Sequence, residues 1–397
     1  VNIMTAVIVL ENCKDPDNIT ITADKKLYEE FEEYEYQDDL RYGEIWDGDE
    51  LTVTDYLYAM MLTSSCEASN ILAYYFGNQN ISAFVEMMNA KAKEIGAEHT
   101  VFANPHGLYD SKQVTTAKDM SLITQYALTV PGFEEIATAE EYEVHPKSYV
   151  TAHEDPWTWT HSNIIMSAAS DFYVYGVKGI KTGNLQLSGR NIVTMGTYDG
   201  IKYLLVLLNA PFYDENGNSK YYHIIDACNF MEWVFDNFEY KELLSEGEEI
   251  AEVKVENSDG NGYVLVKPEE DVSTLWYNEV DVTSIQKNIK LYDSVQAPVK
   301  KNQKLGEIEL KLSDEIIANV DLVASSDIDR SFVKFNLSTA KDFFGSKWMK
   351  RAVWISLSLL LFYLAICIWA FVYAKRNPKG GLSNKKVVKK LYGNKRK

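Results

Sequence analysis

Cysteine is scarce in this chain of 397 residues, which contains only Cys13, Cys66, Cys228 and Cys367. A small secreted scaffold held by disulfides needs a denser and more regular set, so the sequence excludes that class. Internal repeats and low-complexity segments are missing apart from a Lys-rich end, whereas 46% of the residues are hydrophobic. This composition excludes a mostly disordered or fibrous protein and predicts packed domains.

Basic residues are few over most of the chain. There are 39 Lys and Arg against 58 Asp and Glu, and the formal net charge is −19. Ten of the basic residues lie in 375–397, which contains no acid, so residues 1–374 carry 29 basic and 58 acidic side chains. Nucleic acid is therefore not expected as a partner, because phosphate contacts need a basic surface.

One long uncharged stretch interrupts this pattern, at residues 352–374. Its 23 residues, at a rise of about 1.5 Å each, are long enough to cross a hydrocarbon core of about 30 Å. A buried core helix is the alternative, but Trp354, Trp369 and Tyr373 near the ends suit the membrane interface. We therefore expect a transmembrane helix at 352–374.

The charges around this span predict its orientation. The ten basic residues after it outnumber Lys347, Lys350 and Arg351 before it, and an excess of basic residues favours the cytoplasmic side. We expect a single-pass membrane protein, with the body outside and a basic cytoplasmic tail at 375–397. The low cysteine content, with no disulfide framework, suits the cell membrane of a bacterium. An exported body needs a signal peptide, and none precedes Val1. We therefore expect that the natural protein begins upstream.

Residues 1–240 predict an α+β domain. The apolar segment Ile3–Leu10 predicts a buried helix. Thr54 is a candidate cap for a second helix, and Asp199-Gly200 predicts a hairpin between two strands. In residues 241–330, apolar and polar residues alternate over short segments, which predicts a small all-β domain. We expect residues 331–351 to form a juxtamembrane linker.

The eleven acids within 29–50 indicate a solvated insertion, with binding of cations or repulsion of an anionic polymer as alternatives.

Three groups of residues resemble motifs of one enzyme family. Gly179-Ile-Lys-Thr-Gly183 opens the predicted hairpin, Ser64-Ser-Cys66 precedes a predicted helix, and Asn104-Pro-His-Gly-Leu108 follows it. Taken in chain order (64–66, 104–108, 179–183), they resemble motifs of the low-molecular-mass penicillin-binding proteins, the serine-type D-alanyl-D-alanine carboxypeptidases. The resemblance implies a penicillin-binding, β-lactamase-like domain at 1–240, an antiparallel sheet with helices, followed by that family's C-terminal β-domain.

The first family motif, Ser-x-x-Lys followed by Ile-Met-Thr-Ala, is incomplete here. Ile3-Met-Thr-Ala6 is present, but Asn2 stands at the position of the general-base Lys, and the Ser would lie before Val1. Cys66 likewise replaces the Asn of the family's Ser-x-Asn triplet and is a weaker hydrogen-bond partner. We therefore expect the chain as printed to be inactive.

The resemblance implies acyl transfer from a peptidoglycan stem peptide ending in D-Ala-D-Ala. Ser64 would relay a proton to the leaving amine, and Lys181 and Thr182 would hold the terminal carboxylate. Gly183 would let the strand approach the ligand, Asn184 would contribute its N–H to an oxyanion hole, and Cys66 would face the substrate amide. β-Lactams would inhibit the intact enzyme.

Two other functions remain open from the sequence. A non-catalytic homologue would bind wall peptides or partners if Asn2 is a genuine replacement, and a β-lactamase would share Lys-Thr-Gly. The six His residues show no metal-ligand spacing, and none of the three functions considered requires a metal or another cofactor. His106 is interpreted as a turn former and Cys66 as structural, each in preference to a catalytic role.

Overall fold

The structure, a computed structural model, describes residues 1–149, 153 and 157–376. The chain divides into two compact units. The first consists of residues 1–239 and 276–279, and the second of residues 240–275 with the described part of 280–397.

A buried helix lies at the centre of the first unit. Residues Asn2 to Val9 of this helix are all buried, as expected for a segment that is apolar on nearly every side. The predicted helix at Ile3–Leu10 is therefore confirmed. The helices of the unit, in chain order, are α1 (Asn2–Asn12), α2 (Val53–Tyr58), α3 (Cys66–Phe76), α4 (Ile81–Ile95), α5 (Ala117–Ala127), α6 (Phe133–Thr138) and α7 (Tyr222–Asn237).

The start of α2 corrects the sequence prediction. The cap is Thr52, not Thr54: the Thr52 side chain accepts a hydrogen bond from the Asp55 amide, and the Asp55 carboxylate accepts one from the Thr52 amide at 2.8 Å. This reciprocal pair satisfies two amides that the helix itself cannot. After α2 the chain makes one wider, π-helical turn at Ala59–Thr63 and stops at Ser64.

An antiparallel sheet of three strands forms the other half of the unit, in the order β5-β6-β7. Strands β6 and β7 are joined by the predicted Asp199-Gly200 turn, in which both residues have positive φ (48° and 77°), as a two-residue hairpin loop requires. The strands of the unit are β1 (Thr20–Thr22), β2 (Glu50–Thr52), β3 (Glu141–Glu143), β4 (Thr158–Thr160), β5 (Val177–Leu185), β6 (Gly189–Tyr198) and β7 (Ile201–Ala210).

Both faces of this sheet are covered. Val193 and Met195 of β6 join the core formed around α1, whereas Ile192 packs with Ile224 and Met231 of α7 on the other face. Neighbouring residues of a strand point to opposite faces, so a strand covered on both sides is buried along most of its length. The predicted α+β fold is confirmed, and the core holds the β5 edge against the helices.

The second unit contains the all-β fold predicted for residues 241–330. Its six-stranded sheet has the order β12-β14-β15-β10-β9-β13, and Ile308 and Leu310 of β14 are buried as their alternation predicts. Strands β8 and β11 pair separately. β8 (Phe238–Leu244) and β11 (Val272–Tyr277) each contain residues of both units. The strands of the six-stranded sheet are β9 (Ala251–Glu256), β10 (Tyr263–Pro268), β12 (Gln286–Leu291), β13 (Val295–Gln296), β14 (Lys304–Leu312) and β15 (Glu315–Ala324).

Two helices follow the sheet. The predicted linker at 331–351 is largely helical, because it contains α8 (Phe332–Gly345) and the start of α9 (Lys347–Arg376). Helix α9 includes the whole predicted span 352–374, and with a mean hydropathy of 2.5 it is long and apolar enough to cross a membrane. The predicted tail begins with Lys375 and Arg376 of α9, and its remainder, 377–397, lies outside the described residues.

Candidate active site

A cavity of about 540 Å³ opens in the first unit. Three parts of the fold meet there: the first residue of α1, the turn before α3, and the middle of β5. The cavity is lined by every residue that the sequence singled out for a site, namely Asn2, Ser64, Cys66, Lys181, Thr182, Gly183 and Asn184. Residues up to 182 positions apart in sequence therefore face one space.

Ser64 and Lys181 are in direct contact. Ser64 ends the π-helical turn with a left-handed backbone (φ 65°, ψ 30°). The Lys181 ammonium donates hydrogen bonds to Ser64 Oγ and, at 2.8 Å, to the Thr182 carbonyl. Burial lowers the pKa of Lys181 from its ordinary 10.5 to about 7, and the nearby Arg41 charge acts in the same direction. This lysine can therefore gain or lose a proton near neutral pH while touching a hydroxyl.

The Thr182 hydroxyl is held by a residue that sequence reasoning missed. Ser162 Oγ lies 2.7 Å from Thr182 Oγ1, and the Ser162 amide donates to the carbonyl of Leu62 at 3.0 Å. Ser162 thus links β5 to the turn that carries Ser64. Its neighbour Asn163 is buried and donates to Thr194 Oγ1 at 3.2 Å, which fixes the segment against β6. Nothing in the spacing of the sequence indicates this bridge.

Gly183 and Asn184 continue the cavity wall along β5. They pair with Asn191 and Arg190 of β6. A Cβ atom at Gly183 would lie 3.9 Å from its nearest neighbour, Asn191 Cβ, so the backbone has open space on this side. Asn184 Oδ1 is buried and has no hydrogen-bond partner among the described residues. An acceptor in that state favours a ligand that brings its own donor.

Asn2 also lines the cavity. Its Nδ2 donates to Ser69 Oγ at 3.2 Å and to the His106 carbonyl at 3.4 Å. The amide therefore has partners of its own, and an amide nitrogen cannot act as a general base. His106 supports the adjoining turn, where its Nδ1 accepts from the Leu108 amide at 3.2 Å. Burial lowers the pKa of His106 to about 3, so its ring is neutral.

Cys66 contributes a thiol that is buried and protonated. Its Sγ lies 3.8 Å from the Ser64 carbonyl, and burial raises the pKa of the thiol to about 12. Because the thiolate is the nucleophilic form, this residue has little nucleophilic reactivity at neutral pH.

The acidic segment 29–50 is more than a solvated insertion, which corrects the sequence interpretation. Phe31 is buried and meets the His106 ring edge-on at 5.0 Å between centroids. The Asp39 carboxylate accepts from the Gln186 amide at 3.0 and 3.1 Å, just beyond β5. Asp39 and Arg41 line the cavity. The sequence does not indicate this role, because the eleven acids of the segment suggest a solvated loop and the few apolar residues that anchor it form no regular pattern.

Comparison with known proteins gives the family. Residues 1–212 match the family model of D-alanyl-D-alanine carboxypeptidase. The chain belongs to the D-alanyl-D-alanine carboxypeptidase family. Residues 238–330 match the C-terminal domain of penicillin-binding protein 5. The family inferred from the motifs is thereby confirmed, and its members are serine-type hydrolases.

Individual relatives are distant. The D-alanyl-D-alanine carboxypeptidase DacF of Bacillus subtilis is 25% identical over 297 residues, which cover 74% of this chain and 71% of that protein. The carboxypeptidase DacA of Haemophilus influenzae is 26% identical over 285 residues, covering 70% and 66% respectively.

Solved structures show the same fold. Penicillin-binding protein 5 from Haemophilus influenzae superposes with a TM-score of 0.56 at 22% identity, covering 83% of this chain and 89% of that one. The carboxypeptidase DacD from Francisella tularensis gives a TM-score of 0.57 at 19% identity, covering 83% and 87%. In the carboxypeptidase family the fold therefore persists where the sequences have largely diverged.

Proposed function

We propose that this protein is a membrane-anchored serine-type carboxypeptidase that removes the terminal D-Ala from peptidoglycan stem peptides. The observation that carries the proposal is the contact of Ser64 with Lys181 beside Thr182, in one cavity, with the pKa of the lysine lowered to about 7. In this proposal the catalytic domain comprises residues 1–240 and the β-domain residues 241–330. The linker at 331–351 then leads to the span at 352–374 and the cytoplasmic tail at 375–397.

The proposed roles follow the chemistry of each group. A serine hydroxyl attacks the carbonyl between the two D-Ala residues, D-Ala leaves, and water hydrolyses the acyl-enzyme. The Lys181 ammonium and the Thr182 hydroxyl bind the terminal carboxylate of the substrate. Ser64 passes a proton to the leaving amine, and the Asn184 amide contributes to the oxyanion hole. Asn184 Oδ1, which lacks a partner among the described residues, accepts from a substrate N–H.

This scheme assigns no residue of 1–397 as the nucleophile or as its base. The family's Ser-x-x-Lys motif has no complete counterpart in residues 1–397, and Asn2 stands at the position of its Lys. For residues 1–397 alone we therefore propose binding of the peptide, and cleavage only once the family's Ser and Lys are in place.

Labelling by a fluorescent penicillin tests the catalytic part. We expect no covalent labelling and no release of D-Ala from a pentapeptide by residues 1–397. We expect both from an extended chain, in which a Ser is placed two positions before Val1, once Asn2 is also replaced by Lys. Labelling of the printed chain, at Ser64 or elsewhere, would contradict the assigned roles.

Peptide binding tests the carboxylate site separately. An acyl-D-Ala-D-Ala peptide should bind the printed chain, and Lys181→Ala and Thr182→Val should each weaken it, by about tenfold for a lost charge-assisted hydrogen bond. Lys178→Ala is the matched control, because Lys178 is exposed on the same strand. Equal affinity of all four proteins would rule out this site.

A second candidate function is a non-catalytic homologue that binds wall peptides or partners. Asn2 favours it, because its amide is buried and hydrogen-bonded where a base would have to titrate. Asn2→Lys in the extended chain separates the two functions. If the extended chain is not labelled and its Asn2→Lys variant is, the binding function is correct; if the extended chain is labelled without the change, catalysis is.

A further inference from the structure

Arg41 is the one basic residue of the acidic segment 29–50, which otherwise carries eleven acids. It lines the cavity, where Lys181 is the only other Lys or Arg among the described residues. Arg41 is exposed, whereas Asp39, the cavity-lining acid of the same segment, is buried and accepts from the Gln186 amide with both oxygens. The charge that this segment offers to a ligand in the cavity is therefore positive.

The backbone of Arg41 is held independently of its side chain. Its carbonyl accepts from the Cys66 amide at 2.9 Å, next to the turn that carries Ser64. Within the described residues the guanidinium donates only through Nη1, to the carbonyls of Asp38 at 2.8 Å and Leu40 at 2.6 Å, and it forms no ion pair there. Its Nε and Nη2 therefore retain the pair of parallel donors with which an arginine binds a carboxylate.

The direction of a bound peptide along β5 determines which of its groups reaches Arg41. In the proposed function Thr182 binds the terminal carboxylate, and the Asn184 amide faces the scissile carbonyl. An extended peptide then runs from Thr182 toward Gln186, and the residue preceding D-Ala-D-Ala lies about 8 Å along this path. Gln186 is bonded to Asp39, two residues before Arg41. The side chain of that preceding residue is thus the group nearest to Arg41.

Arg41 and Lys181 place two positive charges in one cavity. Burial is the main cause of the low pKa of Lys181, and the charge of Arg41 lowers this pKa further, so the two groups are close enough to repel each other. A ligand with one carboxylate at Lys181 leaves the charge of Arg41 uncompensated. A second carboxylate, placed at Arg41, compensates both charges.

We propose that Arg41 is a specificity-determining residue, which binds a carboxylate on the side chain of the residue preceding D-Ala-D-Ala. The preferred substrate class is then a stem peptide with a second carboxylate near its end, over one whose side chain at this position is neutral or cationic. The inference rests on the proposed function, because that function gives the direction in which the peptide lies.

Binding of three model peptides to the full chain in detergent tests this inference. The peptides are the acetylated tripeptides Glu-D-Ala-D-Ala, Gln-D-Ala-D-Ala and Lys-D-Ala-D-Ala, and calorimetric titration measures their affinities. The parent should bind the Glu peptide about tenfold more tightly than the Gln peptide, as expected for one charge-assisted hydrogen bond. Arg41→Gln should remove this preference by weakening the Glu peptide alone, and Arg41→Glu should reverse it in favour of the Lys peptide.

Lys112→Gln is the matched control. Lys112 is an exposed cation beside the cavity-lining Gln113 and does not itself line the cavity. It should keep the tenfold preference, which shows that a positive charge near the cavity is not sufficient. Loss of the preference in this variant as well would assign it to the general field of the surface and overturn the inference.

Lys181→Ala separates the role of Arg41 from the function on which it rests. If Lys181→Ala weakens all three peptides while the parent does not distinguish Glu from Gln, the role of Arg41 is wrong and the carboxylate site stands. Equal weakening of the Glu and Gln peptides by Arg41→Gln would also overturn the role, since it would indicate a contact with the terminal carboxylate or a structural effect. If no peptide binds the parent, or Lys181→Ala weakens none, the proposed function itself fails.

Discussion

The buried position that suits Lys181 to its proposed role also lowers the free energy of unfolding of the protein. Its pKa falls from 10.5 to about 7 because the folded protein buries the ammonium. Between these values the unfolded chain binds more protons, so the free energy of unfolding rises with pH from about 7 to 10.5. Below pH 7 the folded state bears the whole cost of the buried charge.

Lys181→Met should therefore stabilise the protein more at low pH. The gain at pH 6 should reach up to about 5 kcal/mol before the loss of two hydrogen bonds, at about 1.4 kcal/mol per pKa unit, and should shrink toward pH 10. Urea unfolding of the full chain in detergent at both pH values measures it. A stability difference that does not change with pH would show that the buried charge is not the cause.

Glu67 is a second buried charge near the site. It is the second residue of α3, and its Oε1 accepts from the Gly43 amide at 2.6 Å. It thereby holds the acidic segment 29–50 to the helix. Burial raises its pKa from 4.5 to about 7. The folded state binds more protons than the unfolded chain in this window, so stability falls as the pH rises from 4.5 to 7.

Glu67→Gln should remove this pH dependence, because the amide oxygen keeps the acceptor for Gly43 and cannot ionise. Relative to the parent, the variant should gain up to about 3 kcal/mol between pH 5 and pH 8. Thermal unfolding across this range is the measurement, and Glu98→Gln, an exposed glutamate in the same unit, is the control. Parallel pH profiles for parent and Glu67→Gln would contradict the argument.

At the scale of elements, the packing of α7 on β6 requires a residue without a side chain. A Cβ atom at Gly196 would lie 2.6 Å from Phe235 Cζ and 3.0 Å from Met231 Sδ. Both neighbours belong to α7, so the helix can approach the strand closely only at glycine.

Gly196→Ala should lower the free energy of unfolding by about 1–3 kcal/mol through overpacking. Adding Phe235→Leu should recover part of the loss, because it removes the atom in closest contact. Chemical denaturation of the single and double variants measures both effects. If the double variant showed the simple sum of the two single losses, the contact would not be the cause.

Elements with strong local signals were predictable from the sequence. The hairpin follows from Asp199-Gly200, and α1 from its uninterrupted apolar segment. The cap of α2 was misassigned because Thr52 and Thr54 are both plausible caps, and only the reach of the Asp55 carboxylate distinguishes them. Long-range contacts leave no local pattern, which is why the bridge from Ser162 to Thr182 was missed.

The candidate site residues follow from family motifs and not from periodicity. Ser64 and Lys181 meet only because α1 and α3 hold the turn against β5, and the separation of these residues by 117 positions carries no signal of contact. The helix within 331–345 was also not predicted. Its large apolar residues are exposed, so they were not recognised as the buried face of an amphipathic helix.

For the whole molecule, the charge distribution predicts the orientation across the membrane. The body is acidic, and the basic residues of 375–397 favour the cytoplasm. In intact cells a membrane-impermeant maleimide should label Glu215→Cys, on an exposed turn of the first unit, and should label Ser383→Cys only after the membrane is permeabilised. The parent chain corrects for native cysteines. Labelling of position 383 in intact cells would reverse the assigned topology.

The left-handed backbone of Ser64 has a consequence for evolution. A serine held at φ 65° costs roughly 1 kcal/mol or more, whereas glycine adopts this backbone freely. Glycine at position 64 would remove this backbone cost but also the acceptor of the Lys181 hydrogen bond, so its spread in a lineage would indicate that the hydroxyl is no longer used. Population sequencing of this one codon thus reports whether selection still acts on the cavity, independently of any assay of the purified protein.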